Sequence, residues 1–378
     1  MEARTSRSEL VLWCRWLRIF RRKVKPVSFT RISAGLLAAF ALSAFSVGTA
    51  VAAAPQAPVT RYSSDLGIAP RLQWNSNFGY CGETSFISAG MYFGQYTSQW
   101  TARSAASPGV PQTEEESQLL LGVNDMDAAE AMRLQAVEFD SESQRSTKQY
   151  LTWVKSMVAR GFPVIIGVFL NMDDDSSDGQ SEYDHIVPVL GVGSNAPLSA
   201  TNRTYRATDV ISFSDNALLD GDTSTDAAVF RYRFGPFQKS RSQANDPDGE
   251  TYALRNRPMN YAAAVTGVMD PDRVTIPIRL TSNANGEGMQ EEERLAAAPA
   301  PRPIDLTATV TIPDPNVGYT VYLYDDFTKV PIRNFNTFAS NAIQSWSIAP
   351  GSGRSWSKTI SIMSDQTRVF RAVPSSAP

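Results

Sequence analysis

Between residues 80 and 280 apolar positions first recur at helical spacing and then gather into short runs of strand length. Phe86, Ile87, Met91 and Phe93 fall on one side of a helix expected over 81–95, with Gly90 and Gly94 as its weak points. Thr113 to Glu116 has the capping-box pattern and predicts a helix running through Leu121. Asp125–Phe139 and Ser146–Arg160 are also spaced as helices. The second sets Tyr150, Leu151, Val154, Met157 and Val158 on one face, and Gly161 ends it. Pro163–Leu170 is almost wholly apolar, as a buried strand is. Further strands are expected at Ile186–Val192, Arg206–Phe213, Phe230–Phe234 and Val274–Leu280, the last two extending the same sheet. Pro188 asks for an edge strand or a bulge. Helices first and strands afterwards give an α+β class.

The character of the chain changes at its two ends. Residues 55–72 contain prolines and read as extended. Ser282–Pro303 holds Asn, Gly, a Glu run and an Ala-Pro tail, the composition of a linker. Beyond it, Leu306–Ile312 and Tyr319–Tyr324 read as β segments, predicting a small β-sandwich-like domain over 304–378. The division is therefore 1–54, 55–281, a linker at 282–303, and 304–378. At the start, nine Lys/Arg stand against Glu2 and Glu9 within residues 1–32, giving +7 and leaving −10 for the rest of a chain whose total is −3. A basic stretch, the apolar run Ile32–Ala54 and small residues at its end form the pattern of a cleaved secretory signal; the alternative is an uncleaved membrane anchor. Arg21-Arg22 makes a weak twin-arginine reading, since the apolar run starts ten residues later. The expected location is secreted or extracytoplasmic, with no stable membrane association once the signal is removed. The acidic remainder argues against nucleic acid as a partner.

Cleavage would remove Cys14 and leave a mature chain with one cysteine, Cys81, and one histidine, His185. No disulfide can then form, and a lone thiol in an oxidising compartment is either buried or used. Cys81 stands where a loop enters the first helix, so the positive end of the helix dipole favours its thiolate. His185 opens a strand and can take the thiol proton and return it to a leaving amine. Its second ring nitrogen needs an acceptor. Asp215, at the end of the next strand, is the first choice, Asn216 the second and Asp209 a distant third. The Cys81 backbone N–H and the Gln73 side-chain amide are candidate donors to an oxyanion.

Gln73-Trp74 followed by Gly79-Tyr80-Cys81-Gly82-Glu83-Thr84-Ser85 resembles the Gln…Cys-Gly-x-x-Ser signature of papain-like cysteine peptidases. The likeness is nearest to the bacteriocin-processing, double-glycine-leader peptidase domains. Met157–Phe169 resembles that family's helix-to-strand step, Asp184–Gly191 its histidine strand, and Phe213-Ser214-Asp215 the strand that ends in the third polar member. The resemblance covers roughly 70–235 and implies nothing for the C-terminal part. Gln73 stands eight positions before Cys81, a longer gap than is usual, and the acidic insert before His185 is atypical. What the resemblance implies is a papain-like fold, with N-terminal helices on an antiparallel sheet. It also implies a thiol peptidase acting on a peptide or protein with Cys81, His185, Asp215 and Gln73, without cofactor or metal.

Other readings stay open. The scaffold could serve an amidase or acyltransferase, or a non-catalytic exported binding protein. Asp173–Asp178 invites a calcium loop, but Asp178 falls where such a loop needs glycine, so a solvated or gating loop is expected. Trp74, Tyr80 and Tyr183 either line a cleft or pack in the core. Asn202-Arg203-Thr204 is a glycosylation sequon only in a eukaryotic secretory host.

Overall fold

A computed structural model describes residues 60–140, 146–169, 183, 185–199, 201, 204–217, 229–237, 254, 260–284, 286–289 and 294–377. The signal region, the acidic loop before Tyr183, Asp184 and most of the sequon lie outside the described residues.

The first strands and helices are β1 (Tyr62–Asp65), β2 (Leu72–Trp74), α1 (Cys81–Tyr92), β3 (Gln95–Tyr96), α2 (Gln99–Ala106), α3 (Asp125–Ala131), β4 (Leu134–Glu138) and α4 (Thr147–Ala159). Next come β5 (Val164–Val168), β6 (His185–Ser194), β7 (Val210–Ser214), β8 (Val229–Arg233) and β9 (Ala262–Val268). The rest is β10 (Ile278–Ser282), β11 (Gly286–Met289), β12 (Pro303–Thr311), β13 (Tyr319–Tyr324), β14 (Gln344–Ile348), β15 (Ser355–Met363) and β16 (Arg368–Pro374). The fold is mixed α/β, with few helices and mostly antiparallel sheets. Seven strands form the main sheet in the order β4-β9-β5-β6-β7-β8, with β1 also on β6.

Alternating side chains divide the two faces of that sheet. Val164, Ile166 and Val168 join Val187, Val189 and Ile211 under α4, packing against its Tyr150, Leu151 and Val154. Ile165, Ile186, Ala263 and Val265 point the other way, towards α1. Ser146 caps α4 by accepting from the Gln149 N–H, while the Gln149 side chain accepts from the Ser146 N–H. Gly161, at φ 83, turns the chain out of that helix.

The C-terminal strands form a three-stranded sheet, β10-β12-β15, and a four-stranded one, β14-β13-β16-β3. Their inner side chains belong to the same apolar cluster as α1. The segment read as a linker is engaged with the rest: β11 pairs in parallel with β2.

Several local expectations are overturned. The capping-box sequence at Thr113 forms only a short 3-10 turn over Glu115–Ser117. The helix expected over 125–139 stops at Ala131, because Arg133 takes a left-handed φ of 58; the chain then becomes β4. Val274–Leu280 does not extend the main sheet; β10 begins at Ile278 and pairs with β12. Pro188 lies in an interior strand, not an edge. It pairs with Ile165 on one side, and the ladder to β7 starts only at Val189, with an irregularity before Gly191. The missing N–H therefore falls where that ladder has not begun.

Candidate active site

The turn before α1 is held in an unusual conformation. Asn77, Phe78 and Gly79 have φ values of 50, 67 and 86, three left-handed residues in succession. A side chain makes that region costly, by about 1–2 kcal/mol per residue, so the surroundings must enforce it. They do so from both sides. Arg103, fully buried, donates from Nη1 to the Asn77 carbonyl at 2.7 Å and from Nη2 to the Gly79 carbonyl. On the other side the Asn77 amide donates to the Leu295 carbonyl at 3.1 Å, and the Leu295 N–H returns a bond to Asn77 Oδ1 at 2.8 Å. Tyr80 follows, its hydroxyl donating to Gln112 at 2.9 Å and its ring lying 3.6 Å from the Arg103 guanidinium carbon.

Cys81 is the first residue of α1 and is buried. Gly82 beside it has no room for a side chain, since a Cβ there would lie 2.1 Å from the Leu119 carbonyl oxygen. Glu83, one residue on, accepts from Arg103 Nε at 2.6 Å and from the Leu119 N–H at 3.1 Å. Burial pushes the Glu83 carboxyl above its ordinary range, while the charge and hydrogen bond of Arg103 pull it down.

His185 opens β6, and Asp215 directly follows the neighbouring strand β7. The antiparallel pairing brings these two ends together: His185 Nε2 lies 3.1 Å from Asp215 Oδ1. The Ala217 N–H donates to the same Asp215 oxygen at 2.8 Å, fixing the carboxylate. The His185 side chain is also hydrogen-bonded to Cys81. With Nε2 turned to Asp215, Nδ1 is the nitrogen left for the sulfur. Burial disfavours the imidazolium, but hydrogen bonds and charge from Asp215 and Cys81 outweigh it and hold His185 at about 10 instead of 6.5. The ring thus favours its protonated form, with a carboxylate on one side and the Cys81 sulfur on the other, whose charge contributes to the rise.

The structure brings together three of the residues expected from sequence, Cys81, His185 and Asp215. Gln73 is near but engaged. Its backbone N–H donates to the Asn216 carbonyl at 2.7 Å, and its amide rests against Gly79 while donating to Asn75 at 3.2 Å. Asn216, the second choice as partner of His185, braces backbone instead: its amide donates to the carbonyls of Cys81 and Ile186, both at 3.1 Å. Ser85 adds bonds to the same two carbonyls, at 2.8 and 3.3 Å. Asp209, the third choice, is bound at the far end of β7 to Lys155 at 2.6 Å. Trp74 and Tyr80 are core residues packed edge to face, with ring centroids 5.1 Å apart, and do not line a cleft. Tyr183 donates to the Leu121 carbonyl at 2.8 Å.

Glu83 and Arg103 carry the local architecture, yet sequence reading gave neither a role. Glu83 sat inside the motif, and its partner, twenty positions on, has no local signal. Among the described residues no group of three or more His, Cys, Asp or Glu side chains could hold a metal ion. No described helix is long and apolar enough to cross a membrane. In comparisons with protein-family models, curated proteins and solved structures, nothing matches this chain.

Proposed function

We propose that the protein is a secreted cysteine peptidase with a papain-like arrangement of nucleophile helix and histidine strand. The observation that carries this reading is the single His185 ring bonded to both Asp215 and Cys81. Two features support it: Cys81 begins a helix, where the dipole favours a thiolate, and His185 stands beside it as an imidazolium.

In the proposed reaction the thiolate attacks the peptide carbonyl. Electrons pass to the carbonyl oxygen, which the Cys81 backbone N–H and the Gln73 amide would stabilise. Collapse breaks the C–N bond as His185 gives its proton to the departing amine, leaving a thioester on Cys81. Water, deprotonated by His185, then attacks the thioester; its collapse releases the acid and restores the thiolate. Asp215 keeps the ring oriented and stabilises its charge throughout. Amine acceptors added to the assay separate hydrolysis from acyl transfer, since transfer would give a new amide.

The test is a peptide-library assay with wild type, Cys81→Ala and His185→Gln, alongside labelling by iodoacetamide. Hydrolysis should vanish in Cys81→Ala, and labelling of Cys81 at pH 6 should collapse in His185→Gln. Hydrolysis undiminished in Cys81→Ala ends the proposal.

A further inference from the structure

We infer that Arg103, working through Glu83, is a positioning residue for the Cys81 nucleophile: it sets the backbone turn that aims the thiol and cancels the charge that Glu83 brings beside it. This deepens the peptidase reading and rests on it. Two independent observations meet at one guanidinium. The first is conformational. Arg103 donates to the carbonyls of Asn77 and Gly79, the first and last of the three left-handed residues that deliver the chain into α1. A planar five-donor group can span two carbonyls and a carboxylate at once; an ammonium cannot hold that geometry. Its face also lies on the Tyr80 ring, the residue that joins this turn to Cys81.

The second observation is electrostatic. Glu83 is buried in the first turn of α1, within electrostatic range of Cys81. A bare carboxylate there would oppose formation of a thiolate on the same helical turn. Arg103, at 2.6 Å, neutralises it. Glu83 in return holds Leu119 by its backbone N–H, and the Leu119 carbonyl closes over Gly82, the position after the nucleophile. The pair thus links the turn before Cys81 to the loop that covers the residue after it. Neither side chain touches the reacting atoms, so both act by position and field.

The experiment follows kcat and KM on a cleaved peptide, and the pH dependence of Cys81 alkylation, in wild type, Arg103→Lys, Arg103→Met and Arg103→Met/Glu83→Gln. Each variant is first checked for folding by circular dichroism. In Arg103→Met, kcat should fall at least tenfold with KM within twofold, and the alkylation profile should move to higher pH. Removing the carboxylate as well should return the alkylation profile towards wild type while kcat stays low, which separates charge from turn geometry. Arg103→Lys keeps the charge, so it should alkylate like wild type yet lose kcat, and it carries the test where Arg103→Met does not fold. A merely structural Arg103 would lower the yield of folded protein and leave kcat and profile per folded molecule unchanged; that result overturns the inference. A wild type that cleaves no peptide, but whose Cys81 profile still moves in Arg103→Met, would defeat the peptidase reading and leave the positioning role standing.

Discussion

The β6–β7 ladder has an aspartate at each end, and the two do different work. At one end Asp215 meets His185, the first residue of β6. At the other Asp209 accepts from Ser194, the last residue of β6, at 2.6 Å, and from Lys155 on α4 at 2.6 Å. Lys155 adds a bond to the Thr204 carbonyl, so each ion of that pair has a second partner. At the Asp215 end, among the described residues, Gln73 Oε1, Asn216 Oδ1 and Ser214 Oγ are buried without a hydrogen-bond partner. Two of these are amide oxygens, which accept and cannot donate to an oxyanion, and Arg206 Nη1 near Asp209 is likewise buried without a partner. One end of the ladder is an ion pair between core elements, and the other holds the pair on which the proposed chemistry rests.

The contrast is broken most directly by exchanging the losses. Asp215→Ala should lower kcat per folded molecule by about a hundred- to ten-thousand-fold, because the ring loses its orienting partner, and should also remove the stability that the His185–Asp215 contact supplies. Asp209→Ala should lower the melting temperature and keep kcat per folded molecule. Equal effects in both assays would erase the distinction. Lys155→Met leaves a buried carboxylate unpaired and should cost about 3–5 kcal/mol in urea unfolding, again with kcat intact. A cost under about 1 kcal/mol would remove Lys155 from the structural role.

The pH dependence sharpens the same comparison. His185 is raised from 6.5 to about 10, so its stabilising contribution is complete below about pH 6.5 and is lost as the pH climbs through 10. Thermal melts of wild type should therefore lose stability across that window relative to His185→Gln; parallel curves would contradict the imidazolium. Gly82→Ala, forced against the Leu119 carbonyl, should destabilise by about 1–3 kcal/mol in the same melts. Ser85→Ala removes a hydroxyl that bonds the carbonyls of Cys81 and Ile186, and should cost about 1 kcal/mol.

Much of this was legible in the sequence where one residue type decides the matter. The helical spacing of Tyr150, Leu151, Val154, Met157 and Val158, with Gly161 after it, marked α4, and apolar runs marked β5 and β6 because those strands are buried on both faces. The pairing of His185 with Asp215 followed from two adjacent strands and a scarcity of alternatives. The losses came where distant partners decide. β4 reads as helix because nothing in its composition announces that Arg133 will take a left-handed turn without glycine. The β9 sequence Ala-Ala-Ala-Val-Thr-Gly-Val has low strand propensity and becomes a strand by lying between β4 and β5. Arg103 looks like a surface charge in its helix until the fold closes over it.

From Cys81 through Met91, every residue of α1 is buried, and its apolar neighbours include Ile278 and Leu280 of β10 and Phe370 of β16. Gly94, just past its end, lies against Ile278 and the Phe370 carbonyl. The thiol-bearing helix therefore has a rear wall built by the last third of the polypeptide. A gene trimmed to the stretch that holds Cys81, His185 and Asp215 would keep the proposed site and lose the masonry behind it. The distal sheets are a foundation for the thiol-bearing helix, not a passenger beside it.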